Sequence, residues 1–168
     1  MKHIITALVE NKSGVLARIV SLISGRNYNI ETLNVGPTQD PTTSKMTMVV
    51  PGDDAVIKQV INQLNKLVDV VTVEDVTRRH HLNRELILVE VATTQHSRTE
   101  VLELATLFDA RIVAVGDKSV TIQMVGDYAA IDDFLRLLKP YEITDISRSG
   151  LIAVARDEHV APANVGGV

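Results

Sequence analysis

Residues 8–25 read "LVENKSGVLARIVSLISG", and the stretch changes character once. Leu8 and Val9 close the run "HIITALV" (3–9), which is apolar enough for a strand. From there Val15, Leu16, Ile19, Val20, Leu22 and Ile23 recur at helical spacing, and Gly25 is placed to stop the helix. The turn between them is Glu10-Asn11-Lys12-Ser13-Gly14. A glycine and a row of main-chain amides at a helix start can do two things. They can begin a buried helix, or they can face a small anion drawn by the unpaired N–H groups and the dipole.

Working outward, the same strand–turn–helix order continues through the first half. "YNIETLNV" (28–35) alternates as a strand, and "GPTQDPTTS" is a turn-rich loop. "KMTMVV" is the next strand, closed by Pro51-Gly52, and a helix runs through Val56, Ile57, Val60, Ile61, Leu64 and Leu67. "VDVVTVEDV" (68–76) completes the set as a strand. The second half repeats the order. "RELILVEVAT" is a strand, and Ser97 with Glu100 gives a capping-box signature before Val101, Leu104, Ala105 and Phe108. "ARIVAVG" and "KSVTIQMVG" are strands joined at Gly116-Asp117. A helix carries Ile131, Phe134, Leu135 and Leu138 as far as Pro140, and "EITDISRSGLIAVA" is a last strand with a break near Gly150.

Each half is therefore β-α-β-β-α-β, and the fold class is α+β: two ferredoxin-like units in tandem, each an antiparallel sheet with helices on one face. The expected division is a first domain at 1–77, a charged linker at 78–83, a second domain at 84–157 and a disordered tail at 158–168. Strand one is apolar on both faces, with Ile5, Ala7 and Val9 on one and Ile4 and Leu8 on the other. A sheet covered on one side should instead alternate. Burial of the second face therefore points to an oligomer.

Composition excludes several function classes. The 168 residues are 45% hydrophobic but only 3% aromatic, without Trp, so the core is built from Val, Ile and Leu and the composition argues against base-stacking platforms. A net charge of −4, from 17 basic and 21 acidic residues, argues against binding nucleic acid through phosphate neutralisation. There is no cysteine, hence no disulfide, thiolate metal site or Cys nucleophile. The N-terminal run reaches Glu10 too soon for a signal peptide, and no apolar run approaches the ~20 residues that span a bilayer. A cytoplasmic protein without membrane contact is expected.

The segments "ENKSGVLARIVSLISGRNYNIETLNVGPT", "QLNKLVDVVTVEDV", "RELILVEV" and the late "ISRSGLIAVAR" together resemble one family, over residues 3–156. That family is the small, regulatory subunit of acetohydroxyacid synthase (acetolactate synthase). The first unit resembles its N-terminal ACT domain, the second its carboxy-terminal domain. The resemblance implies a non-catalytic subunit of a transferase in branched-chain amino acid biosynthesis. Its partner would be a catalytic large subunit that carries thiamine diphosphate, Mg and FAD, with no cofactor in this chain. The small subunit would raise that activity and confer feedback inhibition by valine bound where two ACT domains meet in a homodimer.

In that light the opening turn becomes half of an effector pocket. The amides of Ser13, Gly14, Val15 and Leu16 would face the carboxylate, Gly14 would allow close approach and a positive φ, and Asn11 would offer a side-chain carbonyl. The resemblance brings Asn29 and Ile30, at the start of strand two, from the neighbouring chain, with Ile30 forming part of an apolar recess. Glu90 stands where the family often has a basic residue.

Other groups have plainer explanations. His80-His81 lacks a third ligand at metal-site spacing, and no metal is expected. Arg78-Arg79 is either a solvated pair or a partner contact. Asp53-Asp54 and Asp132-Asp133 suit helix starts. No nucleophile–base pair or phosphate-binding glycine loop is present. The alternative function is a free-standing amino-acid-responsive regulator, for instance of transcription, although no helix-turn-helix segment is apparent. A small enzyme in its own right lacks a catalytic constellation.

Overall fold

The structure, a computed structural model, describes residues 1–156; the tail expected at 158–168 lies outside the described residues. The first unit runs β1 (Lys2–Glu10), α1 (Val15–Ser24), β2 (Thr32–Pro37), β3 (Thr43–Pro51), α2 (Asp54–Leu64) and β4 (Val70–Asp75). Its sheet has the order β2-β3-β1-β4, and every pairing is antiparallel. Val15, Ile19 and Ile23 of α1 and Ile57, Val60 and Leu64 of α2 press on Ile5, Ala7, Val9, Met46, Met48 and Val50. Each Val, Leu, Ile or Met among these contributes about 1.5–3 kcal/mol when fully buried, so this layer holds the unit together.

The second unit runs β5 (His81–Ala92), α3 (Gln95–Leu107), β6 (Arg111–Val115), β7 (Ser119–Gly126), α4 (Tyr128–Leu138), β8 (Ile143–Arg148) and β9 (Ile152–Ala155). The sheet order is β6-β7-β5-β8, and β9 continues beside the first residues of β5. Ile87, Val89, Val91, Val120, Ile122 and Met124 meet Val101, Ala105, Ile131, Phe134 and Leu138. The tandem ferredoxin-like architecture is thus the one the sequence implies. The break at Gly150 is real too, with φ at +75.

Several boundaries differ, each for a local reason. Strand two begins at Thr32 rather than Tyr28, because the amides of Arg26, Asn27 and Tyr28 are spent on carbonyls of Ile23 and Ser24 at the end of α1. Asn27, at φ 61, makes the left-handed turn there, while Gly25 stays right-handed. Helix α2 ends at Leu64, and Leu67 reaches the core from a tightened final turn in which its amide bonds Leu64 O (3.0 Å). The N-cap of α3 is Thr94, with Ser97 as its reciprocal partner rather than as the cap. Asp53 does cap α2. Asp132 and Asp133 lie inside α4, whose cap is Asp127, and Asp133 pairs with Arg136.

Of the expected linker, residues 81–83 are strand. Their polar composition hides the partner: His81, Leu82 and Asn83 pair with Ala155, Val154 and Ala153 of β9. The buried carboxylate that follows, Glu85, is 1% exposed and is held bidentately by Arg148 Nε and Nη2 (2.8 and 2.6 Å). A charge that deep persists only when paired in this way.

The second face of the first sheet is covered within the same chain. Val49 is 2% and Thr47 3% exposed, while Leu151 from the β8–β9 turn is 1% exposed. Asn34 Nδ2 donates to Ser149 O (3.1 Å), and Lys2 reaches both Glu31 (2.5 Å) and the Tyr128 hydroxyl of α4. Lys2, Ile4, Val49, Thr77, Tyr128 and Leu151 enclose a cavity of about 120 Å³. The two-faced pattern that pointed to an oligomer is therefore largely accounted for by intrachain burial.

Gly150 brings the main chain of the second unit against β2. A Cβ there would lie 3.0 Å from Leu33 O, and its φ of +75 disfavours any side chain. Gly150→Ala is expected to destabilise the protein by about 1–2 kcal/mol from the backbone alone. The clash with β2 adds to that cost. Gly36→Ala, with nothing within 4 Å of the added methyl, serves as the control. Urea unfolding of the two variants measures the difference.

Candidate functional site

Three of the four helices of the described residues start on a side-chain cap. Asp53 accepts from Val56 N, Thr94 from Ser97 N and Asp127 from Ala130 N. Helix α1 has none. Its N-cap is Gly14 at φ 84 and ψ −11, no side chain caps its amides, and no acidic residue stands in its first turn. A Ser, Thr, Asp or Asn cap is worth about 1 kcal/mol, so a helix start without one leaves donors for something else.

The turn itself is firmly placed. Glu10 N donates to Asp69 O (2.8 Å) and Asn11 N to Thr42 O (2.7 Å), which fix the end of β1 against both neighbouring connections. Asn11 Nδ2 donates to Pro41 O (3.0 Å), so its side-chain carbonyl is the group left to accept. Lys12 pairs with Glu10 (2.7 Å). The first ladder bond of α1 runs from Arg18 N to Gly14 O (3.0 Å), which leaves the amides of Leu16 and Ala17 ahead of the ladder.

One expected donor is partly spent: Val15 N bonds Lys12 O at 3.4 Å, closing the turn. The Val15 side chain, 2% exposed, anchors the helix in the core, so this residue serves the site mainly by position. Ser13 and Gly14 are exposed, and Leu16 is 43% exposed beside them.

Asn29 and Ile30 precede β2 and lie at the other end of α1. Ten helical residues separate the two ends by roughly 15 Å, so one chain does not bring Asn29 to the Gly14 turn. Asn29 is exposed, while Ile30 is half-buried against the core. Asn11, Ser13, Gly14, Val15 and Leu16 therefore form one cluster, and Asn29 and Ile30 another.

Sequence reasoning missed Arg18. Its guanidinium lies 3.6 Å from where a Gly14 Cβ would stand, and it pairs with Asp69 through Nε and Nη2 (2.8 and 2.7 Å). Arg18 thus sets a fixed cation beside the uncapped amides. Its spacing was the available signal, since residues four apart share a helix face.

His3 belongs to no motif in the sequence, and its partners lie far along the chain. It is 2% exposed, with Nδ1 3.0 Å from Asp75 Oδ2 and Nε2 3.7 Å from Asp54. Asp75 also receives the Thr77 main-chain and hydroxyl donors. This cluster ties the end of β4 to β1 where the chain leaves the first unit. Arg78 pairs with Asp54 and Arg79 with Glu74, while His81 bonds Arg79 O and Asn83. Among the described residues no three His, Cys, Asp or Glu side chains gather as metal ligands. No helix there is long and apolar enough to cross a membrane.

Comparison with known proteins bears on both units. A family model described as the AHAS small subunit-like ACT domain matches residues 5–72, and one described as the small subunit of acetolactate synthase matches residues 84–157. The acetolactate synthase small subunit of Aquifex aeolicus is 45% identical over 157 residues, covering 93% of this chain and 82% of that protein. The acetolactate synthase isozyme 3 small subunit of Escherichia coli is 37% identical over 161 residues, covering 95% and 99%. The crystal structure of the acetolactate synthase small subunit from Thermotoga maritima superposes with a TM-score of 0.82 at 30% identity, covering 93% of this chain and 98% of that one.

The His3–Asp75 cluster gives a pH prediction. Burial pushes the Asp75 carboxyl up, but the Thr77 donors and His3 outweigh it and hold the group below its ordinary value. A carboxyl lowered by folding stabilises the protein above its unfolded value, near pH 4, and loses that contribution as pH falls through the lowered folded value. Asp75→Asn is therefore expected to destabilise the protein at pH 7 and to flatten the loss of stability below pH 4. Thermal melts across pH 2.5–7 read both effects.

Proposed function

This chain belongs to the acetolactate synthase small-subunit family, and on that footing we propose that it regulates a thiamine-diphosphate-dependent catalytic large subunit through valine bound at its ACT domain. The observation that carries the proposal is the start of α1: a left-handed Gly14, no side-chain cap, and Arg18 beside it. A carboxylate seated there would accept from main-chain N–H groups and gain from both the dipole and the guanidinium. The Asn11 carbonyl supplies an acceptor for an ammonium group. Leu16 supplies apolar surface for an aliphatic side chain.

The site is half-built in one chain, which is the reason to invoke a second. Strand β2 is an edge strand, paired only with β3 among the described residues. A two-fold axis beside it would run α1 of one copy antiparallel to α1 of the other. Asn29 and Ile30 of each copy would then approach the Gly14 turn of its neighbour, giving two equivalent pockets. Valine bound there closes a pocket that neither chain completes alone. It shifts the activity of the large subunit only to the extent that it binds one arrangement of the complex better than the other. Activation belongs to the complex itself. Selection among valine, leucine and isoleucine in such a shallow recess is modest, since one methylene is worth about 1–3 kcal/mol.

Calorimetry on the purified chain is expected to show saturable valine binding. Valine at about a hundred times its Kd adds about 2.7 kcal/mol to stability, which a thermal melt resolves. No heat and no shift at millimolar valine overturns the effector assignment. Gly14→Asp places a carboxylate where the ligand's is assigned, next to Arg18. Its complex with the large subunit is expected to lose valine inhibition while the two subunits still co-purify; unchanged inhibition overturns the site.

A further inference from the structure

Asn29 and Ile30, which the proposed effector pocket takes from the neighbouring copy, run straight into Glu31. Ile30 packs against the first core, and the Glu31 amide donates to Val49 O of β3 (2.8 Å), so the main chain is held at this junction. The Glu31 carboxylate serves the border between the two units. Lys2 Nζ donates to Glu31 Oε1 (2.5 Å) and to the Tyr128 hydroxyl, and that hydroxyl donates to the same Glu31 oxygen (3.4 Å). The ammonium also lies 4.9 Å from the centre of the Tyr128 ring. Glu31 first, and Tyr128 after it, push the Lys2 ammonium up to about 12, so the triangle keeps its charge at neutral pH.

Three elements meet in this triangle: the start of β1, the lead into β2 and the first turn of α4. Tyr128 is firmly tied to its own unit. Its amide donates to Asn83 Oδ1 (3.2 Å), Asp127 caps the helix it starts, and Ile131, Phe134 and Leu138 of that helix are buried in the second core. A pull on the hydroxyl therefore reaches α4 through a rigid ring with only two side-chain torsions. Lys2 and Tyr128 also border the cavity of about 120 Å³ that they share with Ile4, Val49, Thr77 and Leu151. Packed side chains have nowhere to go, whereas here unfilled volume lies next to the two that would have to shift.

We propose that Lys2, Glu31 and Tyr128 transmit the state of the effector pocket to the second unit. This link rests on the effector reading of Asn29 and Ile30 given above. Glu31 is a positioning residue. It touches no effector, but a single peptide joins it to Ile30, so a shift of Asn29 and Ile30 on closing the pocket displaces its carboxylate. Lys2 and Tyr128 share that carboxylate, and α4 is either drawn with it or released from it. A charged network with two arrangements is a physical carrier of coupling between sites. The coupling such carriers deliver is typically about 5–150-fold in affinity.

Valine inhibition of the complex with the large subunit tests this, alongside calorimetry of each free full-length chain with valine. Lys2→Met keeps the aliphatic stem and Tyr128→Phe keeps the ring, and circular dichroism confirms the fold of both. Each variant is expected to bind valine within about twofold of wild type, while the valine concentration for half-inhibition rises about tenfold. Lys2→Glu is expected to lose inhibition in the same way. Lys2→Glu combined with Glu31→Lys restores the ion pair in reverse and is expected to regain it. Should Lys2→Met fail to fold, Tyr128→Phe and the reversed pair decide alone. Unchanged half-inhibition in these variants overturns the link and leaves the effector site standing. Loss of valine binding in Lys2→Met or Tyr128→Phe also overturns it, since the triangle would then only shape the pocket. A wild-type chain that binds no valine overturns the effector reading, and the link falls with it.

Discussion

The contact that organises the molecule is the close approach of Gly150 to the Leu33 carbonyl. An antiparallel sheet with helices on one face has to dispose of the other, and here the chain does so by turning back on itself. Only a glycine at φ +75 lets the β8–β9 turn come within reach of β2 and seat Leu151 over the outer face of the sheet, where Thr47 and Val49 are buried. Beyond that turn β9 resumes beside β5 with a one-residue slip in register, Arg148 lying opposite Ile87 and Ile152 opposite Arg84, and it gives the first residues of β5 the partner that makes them a strand.

The start of α1 answers to a different constraint. Elsewhere the chain caps its helices with Asp or Thr, so the missing cap at Gly14 is not a shortage of suitable residues: Ser13 stands one position away. A left-handed Gly14 at the N-cap leaves the first amides of α1 without a side-chain cap, and Arg18, held by Asp69, puts its guanidinium on the same side. Neither feature improves the helix. Both improve an anion site, at the cost of roughly the 1 kcal/mol that a side-chain cap supplies.

Much of this was legible in the sequence. Apolar spacing located every helix, because Val15, Ile19 and Ile23, or Ile131, Phe134 and Leu138, are placed by contact with a sheet and little else. What failed were assignments that depend on a partner distant in sequence. His81 to Asn83 look like linker until β9 is beside them. His3 looks isolated until Asp75 and Asp54 arrive from β4 and α2. The apolar outer face of β1 and β3 is closed in part by Leu151, which nothing local in the sequence announces. Ser97 reads as a cap for the opposite reason: its partner is only three residues away, and because Thr94 accepts from the Ser97 amide while Ser97 accepts from the Thr94 amide, both residues fit the motif.

Strand β2 links these themes. Its free edge is where a second copy must lie for Asn29 and Gly14 of different chains to meet. Its inner residues, Leu33 and Asn34, are the ones that touch Gly150 and Ser149 of the second unit. An edge strand clamped in this way has little freedom to move alone, because even a methyl group added at Gly150 would crowd Leu33 O and packed interfaces shift between discrete arrangements rather than deform. If two first units met along β2, as the proposed effector site requires, a change in that meeting would reach the second unit through the Gly150 approach and the Asn34–Ser149 hydrogen bond. The tandem arrangement would then be more than two folds on one chain.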